Sequence, residues 1–127
     1  MKKKILIVDD DKEFLEELNE TLLLSGYDVS AVSEATQAFG VASEIKPDVI
    51  LLDLKMKGMT GFEVASKLKS FPQTMGIPII AMSGFFTENE DSTLLSFFNI
   101  QNYLNKPFNP LNAIDQIETI LKATENK

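Results

Sequence analysis

The chain has 127 residues, of which 44% are hydrophobic, and its formal net charge is −7. This length predicts one domain with an ordinary core, and the acidic balance argues against direct nucleic-acid or membrane partners. Histidine and cysteine are absent and all 12 basic side chains are lysine, which excludes imidazole and thiolate chemistry, disulfides and arginine forks. No apolar run approaches the roughly 18 residues of a membrane span, so we expect a cytoplasmic protein.

The chain opens with a strand, a helix and a second strand. Apolar, mostly β-branched residues predict a buried strand over 5–8. Asp11 can cap the helix that follows, and Gly26 suits the position just after its last turn. The apolar face of this helix is predicted to consist of Phe14, Leu15, Leu18 and Leu22. A short strand is predicted over 28–32.

The middle of the chain predicts a helix, a central strand and another helix. Ser33 can cap the second helix, and Pro47 forces its end. Residues 49–52 form the most continuous apolar run, as expected of a central strand covered on both faces. Thr60 and Glu63 have capping-box spacing, which predicts a third helix that ends near Ser70.

The last part of the chain repeats the alternation. Strands are predicted over 77–82 and 101–104. The helix between them opens with capping-box spacing at Thr87, and Asn99 can close it in the left-handed conformation. Asn109 followed by proline predicts the start of a final helix, which ends near 123. Its apolar stripe is predicted to be Leu111, Ile114, Ile117 and Leu121.

Five repeats of strand then helix predict an α/β fold with a five-stranded parallel sheet and helices on both faces. This is a doubly wound, flavodoxin-like (βα)5 three-layer sandwich. Ligands in such folds bind beyond the carboxyl ends of the strands, where the strand order reverses. We expect residues 1–127 to form a single domain with no second domain in the chain.

Reactive side chains stand where four of the predicted strands end. These residues are Asp9, Asp10, Asp53, Ser83 and Lys106. Converging carboxylates repel one another unless some are protonated or a hard cation lies among them, and oxygen ligands suit Mg²⁺. Asp53 could then attack phosphorus and form an acyl phosphate, while the cation, the Ser83 hydroxyl and Lys106 each meet a phosphoryl oxygen.

Four stretches in this order and spacing make the chain resemble a response-regulator receiver domain over nearly its whole length. They are Ile5–Asp11, Val49–Leu54 with Met56, Met59 and Gly61, Ile79–Gly84, and Tyr103–Phe108. The resemblance implies that Asp53 is the phosphoacceptor. It implies that Asp10 and Asp53 ligate Mg²⁺ directly, together with the backbone carbonyl of Lys55, and that Asp9 acts mainly through water.

The same resemblance implies how the domain responds to phosphorylation. Ser83 and Lys106 engage the group, Tyr103 is the aromatic switch that rotates inward, and Lys106–Pro107 is a cis peptide. The phosphoryl donor would be a sensor histidine kinase or phosphotransfer protein. Phosphorylation would change the surface around the fourth helix, fifth strand and fifth helix for a downstream protein target, or for an output domain on a longer chain. Such a domain is a switch that catalyses only its own phosphorylation and dephosphorylation.

Some positions depart from the commonest receiver pattern without removing a catalytic group. Lys57 stands where proline is frequent, Thr60 where an acid is frequent, and Asn99-Ile100 where Gly-Ala is usual. Four phenylalanines flank the fourth helix, and not all can point inward on one helical face: Phe85, Phe86, Phe97 and Phe98. We expect Phe98 to pack in the core with Leu94 and Leu95, and one or two of the four to lie on the output surface.

The residues leave three other functions open. A phosphomonoesterase with an aspartyl nucleophile would usually carry a second acid two residues later, where this chain has Lys55. A flavodoxin-like cofactor binder would need a Ser/Thr-rich phosphate loop, where Asp9-Asp10-Asp11 would instead repel phosphate. A receiver that binds partners without phosphorylation would have no need of the intact acid set.

Overall fold

A computed structural model describes residues 2–84 and 90–125. Strands and helices alternate along the chain, as the apolar runs predict. The strands are β1 (Lys4–Val8), β2 (Asp28–Val32), β3 (Val49–Asp53), β4 (Ile79–Ser83) and β5 (Asn102–Asn105). The helices are α1 (Lys12–Leu24), α2 (Ala35–Ile45), α3 (Gly61–Ser70), α4 (Glu90–Phe97) and α5 (Pro110–Glu125).

The five strands form one parallel sheet in the order β2-β1-β3-β4-β5. The chain first adds β2 on one side of β1 and then returns to add β3, β4 and β5 on the other side. The strand order therefore reverses between β1 and β3, which is the place where such sheets bind ligands. This confirms the predicted doubly wound fold.

Alternate residues of the central strands enter two separate cores, one on each face of the sheet. Leu6 and Leu52 pack in the core beneath α2 and α3, whereas Ile7 and Leu51 pack in the core beneath α1 and α5. Every residue of β3 is buried, so a polar side chain in this strand has little access to bulk water. This makes an acid at the end of β3 a costly feature that calls for a chemical reason.

Several helix ends follow from the sequence signals. The Asp11 side chain accepts a hydrogen bond from the Phe14 N–H, and Thr60 and Glu63 form a complete capping box. Gly26 and Asn99 adopt positive φ angles of 97° and 56° after the helices that they close. The Asn109 side chain accepts a hydrogen bond from the Leu111 N–H at 3.0 Å.

Other local predictions were wrong. The residue that caps α2 is Glu34 rather than Ser33, and its side chain makes no capping bond. Leu111 is 61% exposed, because the buried stripe of α5 runs instead through Ala113, Ile117 and Ile120. β4 begins at Ile79 rather than at residue 77, since Pro78 precedes the strand and only its carbonyl bonds to β3.

Of the four phenylalanines that flank α4, Phe97 and Phe98 lie in the described part of the chain, with one exposed and one packed against the core as expected. Phe97 is 79% exposed, whereas Phe98 packs against the core and stacks on Phe62 with ring centroids 6.3 Å apart. The predictions for Phe85, Phe86 and the Thr87 cap lie outside the described residues. Among the helices of the described part of the chain, none has the length and apolar character needed to cross a membrane.

Candidate functional site

Three aspartates converge at the carboxyl ends of the two central strands. Asp9 follows β1 directly, Asp10 comes next, and Asp53 is the last residue of β3. One carboxylate oxygen from each lies within 4.8 Å of the others. Asp9 and Asp53 are buried and Asp10 is half-buried, so the cluster opens to solvent on the Asp10 side.

Asp9 is fully buried and has two polar partners. Its Oδ1 accepts a hydrogen bond from the Asp11 N–H at 2.9 Å, and its Oδ2 accepts one from Lys106 Nζ at 2.5 Å. Burial is the main reason that the pKa of Asp9 is raised to about 6; the hydrogen bonds from Lys106 and Asp11 oppose the rise, and the charge of the neighbouring Asp53 adds to it. The ionised form of Asp9 is therefore costly even with Lys106 in place.

The two oxygens of Asp53 face different partners. Oδ1 accepts a hydrogen bond from the Lys55 N–H at 3.0 Å, while Oδ2 lies 3.6 Å from Lys106 Nζ. Asp10 is held in a similar way, because its Oδ2 accepts a hydrogen bond from the Lys57 N–H at 2.9 Å. The loop after β3 thus orients two of the three acids through its backbone rather than its side chains.

Ser83 and Lys106 come from the neighbouring strands, and Lys106 contacts the acids. Ser83 is the last residue of β4 and is buried, and its carbonyl accepts a hydrogen bond from the Lys106 N–H at 2.9 Å. Lys106 follows β5, precedes a cis peptide to Pro107, and places its ammonium between Asp9 and Asp53. Every residue assigned to the site from the strand ends is therefore brought to one edge of the sheet.

Tyr103 lies at the side of this edge rather than in it. It is in β5 opposite Ala81, two residues before Ser83 in β4, and is 45% exposed. The Gln116 side chain of α5 donates a hydrogen bond to its carbonyl at 3.0 Å. The backbone of Tyr103 is thus tied to the sheet and α5 while much of its side chain is exposed.

Two contributors to the site carry roles that sequence reasoning missed. Gly61 was noted only as part of the family pattern, yet a Cβ placed there would lie 2.2 Å from the Asp53 carbonyl oxygen. Phe14 was assigned only to the core stripe of α1, yet Lys106 Nζ lies 4.3 Å from the centroid of its ring. The available signal was position: Phe14 lies in the first turn of α1, which begins two residues after Asp10.

The residues fit a hard divalent cation. Three carboxylates with oxygens within 4.8 Å of one another supply only oxygen ligands, and three acids outnumber the one lysine beside them. Lys106 offsets part of that charge from one side, but the half-buried Asp10 leaves the other side open to an incoming ion.

Comparison with known proteins places these observations in a family. The family model described as the response regulator receiver domain matches residues 5–118. The DNA-binding response regulator MtrA of Mycobacterium tuberculosis is 31% identical over 127 residues, which are all of this chain and 54% of MtrA. The transcriptional regulatory protein PhoP of Bacillus subtilis is 34% identical over 125 residues, which are 98% of this chain and 51% of PhoP.

The fold has equally close counterparts among solved structures. A CheY-like receiver domain protein from Methanospirillum hungatei superposes with a TM-score of 0.92 at 27% identity, covering 99% of this chain and 98% of that one. The chemotaxis protein CheY4 of Vibrio cholerae superposes with a TM-score of 0.89 at 27% identity, covering 94% and 99%. The chain spans about half the length of the curated relatives that it matches.

Proposed function

This chain belongs to the response-regulator receiver family, whose members accept a phosphoryl group in signalling, and on that premise we propose that Asp53 is the residue phosphorylated here. The observation that carries the proposal is the position of the Asp53 carboxylate. It ends a strand buried on both faces, and its Oδ2 lies 3.6 Å from a lysine that also binds Asp9. A purely structural acid would gain little from so costly a place.

The proposed reaction transfers a phosphoryl group from a phosphohistidine of another protein, because this chain has no histidine. A bond forms between Asp53 Oδ2 and phosphorus while the bond between phosphorus and the donor's imidazole nitrogen breaks, leaving the electron pair on that nitrogen. The Lys55 N–H holds Oδ1 at 3.0 Å, which orients the carboxylate for in-line attack. Lys106 and the Ser83 hydroxyl are assigned to phosphoryl oxygens.

We assign a Mg²⁺ site to the acid cluster. Asp10, Asp53 and the backbone carbonyl of Lys55 are the proposed direct ligands, and Asp9 acts mainly through water. When bound, the ion neutralises charge that develops on the phosphoryl oxygens. The acids are held for this task by the hydrogen bonds from the Lys57 and Asp11 N–H groups, at 2.9 Å in each case.

The proposed output follows from movement of Ser83 toward the phosphoryl group. Tyr103, 45% exposed in the present state, would turn inward as Ser83 vacates its position. This would alter the surface of α4, β5 and α5, on which Phe97 is also exposed. The upstream partner is a histidine kinase or phosphotransfer protein, and the reader of the surface is a separate protein or an output domain on a longer chain.

Labelling with a small phosphodonor in the presence of Mg²⁺ tests the proposal by intact mass. We expect one phosphoryl adduct on the wild-type protein, none on Asp53→Asn, and none when EDTA replaces Mg²⁺. Absence of an adduct on the wild-type protein that binds Mg²⁺ would overturn the assignment. Continuous release of phosphate from a phosphomonoester would instead support the phosphatase alternative.

The exposed side chain of Lys55 is expected to set how long the phosphoryl group survives. Lys55 follows Asp53 by two residues and its side chain is exposed, so it can cover the group against water. We predict that Lys55→Ala shortens the half-life of phospho-Asp53 by about threefold to tenfold, a barrier change of roughly 1 kcal/mol. Decay of the mass adduct measures this.

Lys57→Ala is the matched control for that experiment. Lys57 is exposed in the same loop, and its contact with Asp10 comes from the backbone N–H, which alanine retains. Its half-life should stay within about twofold of wild type. An unchanged half-life for Lys55→Ala would contradict the prediction, and a longer one would mean that its charge assists hydrolysis.

A further inference from the structure

We infer that the ring of Phe14 positions Lys106. A cation–π contact with this ring holds the ammonium group of the lysine close to the Asp53 carboxylate. Lys106 Nζ lies 4.3 Å from the centroid of the Phe14 ring, within the range of such contacts. The same atom lies 2.5 Å from Asp9 Oδ2 and 3.6 Å from Asp53 Oδ2. Three contacts of different kinds therefore define the position of one ammonium group.

The ring is itself held from two directions. The backbone of Phe14 is fixed in the first turn of α1, where its N–H donates to the Asp11 cap at 3.2 Å. The side chain packs edge-to-face with Phe108, with centroids 5.5 Å apart and an interplanar angle of 83°. Phe108 is two residues beyond Lys106, so the lysine and the ring that it contacts belong to one packed unit.

The contact with Phe14 matters because the ionic contacts alone would hold the Lys106 ammonium beside Asp9 rather than beside Asp53. In the present state Lys106 is much closer to Asp9 than to Asp53. A phosphoryl group on Asp53 requires the ammonium to shift toward its oxygens. The attraction of a ring face falls off gradually over such a shift and has no single preferred direction, whereas a hydrogen bond to Asp9 is lost steeply. The Phe14 contact can thus persist while Lys106 changes partners.

The inference rests on the proposed function of Lys106 at Asp53. It requires in addition that the side chain at position 14 is aromatic. An aliphatic residue of similar size would fill the core stripe of α1 equally well. Only an aromatic ring supplies the negative face that attracts an ammonium. Phe14→Leu therefore removes the proposed role while retaining apolar packing, and Phe14→Tyr retains the role.

The chain offers a matched control on the other face of the sheet. Lys67 Nζ lies 5.0 Å from the centroid of the Phe39 ring, and Phe39 packs against Phe71 with centroids 4.7 Å apart. Phe39 is half-buried, as Phe14 is, but belongs to the core beneath α2 and α3. Phe39→Leu thus breaks an equivalent contact far from the acids.

The experiment compares rates of Mg²⁺-dependent adduct formation, read by intact mass, at matched fractions of folded protein. We expect Phe14→Leu to slow labelling about threefold to tenfold, in line with a partly desolvated cation–π contact. Phe14→Tyr should recover most of the rate, and Phe39→Leu should label as wild type does. Adding Phe14→Leu to a Lys106→Met protein should cause no further loss.

Several results would overturn the inference. The first is a labelling rate of Phe14→Leu equal to that of wild type. The second is a loss of rate in Phe14→Tyr as large as that in Phe14→Leu. The third is the same loss of rate when Phe14→Leu is added to the Lys106→Met protein. If Phe14→Leu does not fold, a measurement on the wild-type protein still tests the inference. The Hε protons of ¹³C-labelled Lys106 should show an upfield shift caused by the ring current of Phe14. Hε resonances without that upfield shift would refute the contact. If the wild-type protein acquires no adduct, the proposed function fails, whereas a labelled wild type beside an equally fast Phe14→Leu refutes only this inference.

Discussion

Gly61→Ala is expected to lower the free energy of unfolding by about 3 kcal/mol, the upper end of the usual range for overpacking. Gly61 is the first residue of α3, and its N–H donates to the Leu54 carbonyl at 3.2 Å. A Cβ there would lie 2.2 Å from the Asp53 carbonyl oxygen and 2.5 Å from the Leu54 Cα. Because both are backbone atoms, no side chain can rotate to make room.

The same change is expected to slow phosphorylation. To relieve the contact, either α3 moves away from the sheet or the end of β3 moves toward the acids. The second movement displaces Asp53 and the Lys55 N–H that orients it at 3.0 Å. Misplacement of a reacting group by about 1 Å can cost about 100-fold in rate, so we expect adduct formation to fall by about tenfold to 100-fold.

Urea unfolding and intact-mass labelling of the same preparation measure both effects. Gly40→Ala is the control, because Gly40 lies within α2 and a Cβ there meets nothing within 4 Å. Alanine in place of a helical glycine should stabilise by about 0.5–1 kcal/mol and leave labelling unchanged. A Gly61→Ala protein with the wild-type urea midpoint and labelling rate would show that the close approach carries no cost.

The fold could be predicted from the sequence because its strands are short apolar runs of unambiguous type. Residues 49–52 have no polar interruption and are followed by Asp53, so both the strand and the exit of the chain at the sheet edge are visible. The parallel arrangement then brings the side chains at the strand ends together without further information. This is why the sequence alone predicts that Asp9, Asp53 and Ser83 lie in one site.

What the sequence could not reveal depends on contacts across the fold. Leu111 matches the spacing of a buried stripe, yet in the folded protein α5 buries Ala113 and leaves Leu111 exposed. The clash that requires glycine at position 61 exists only because α3 starts directly beside the end of β3. The same holds for Phe14, whose spacing indicates core packing while the lysine beside its ring is 92 residues away along the chain.

The burial of Asp9 makes a further prediction, about how stability depends on pH. Its pKa is raised from 3.8 to about 6, chiefly because the carboxylate is buried. Between these two values the folded protein binds more protons than the unfolded chain, so the free energy of unfolding falls as the pH rises through this window. A difference of two pKa units corresponds to about 3 kcal/mol, present below pH 4 and lost above pH 6.

Asp9→Asn isolates this contribution, because asparagine cannot ionise. In the presence of EDTA, we expect the mutant's free energy of unfolding minus that of wild type to rise by about 3 kcal/mol between pH 3.5 and pH 7. Urea unfolding across the range measures it. Asp28→Asn, at an exposed acid at the start of β2, is the control for replacing an aspartate that lies outside the cluster. A flat difference for Asp9→Asn would contradict the prediction.

The same acids should link stability to Mg²⁺ with the opposite dependence on pH. Binding of a cation requires ionised carboxylates, and any ligand that binds only the folded state raises the free energy of unfolding. Millimolar Mg²⁺ should therefore stabilise the wild-type protein more at pH 7.5 than at pH 4.5, where Asp9 is protonated and its charge no longer attracts the ion. The negative charge that destabilises the cluster without Mg²⁺ at neutral pH is thus the charge that attracts the ion. Equal stabilisation by Mg²⁺ at both pH values would contradict this prediction.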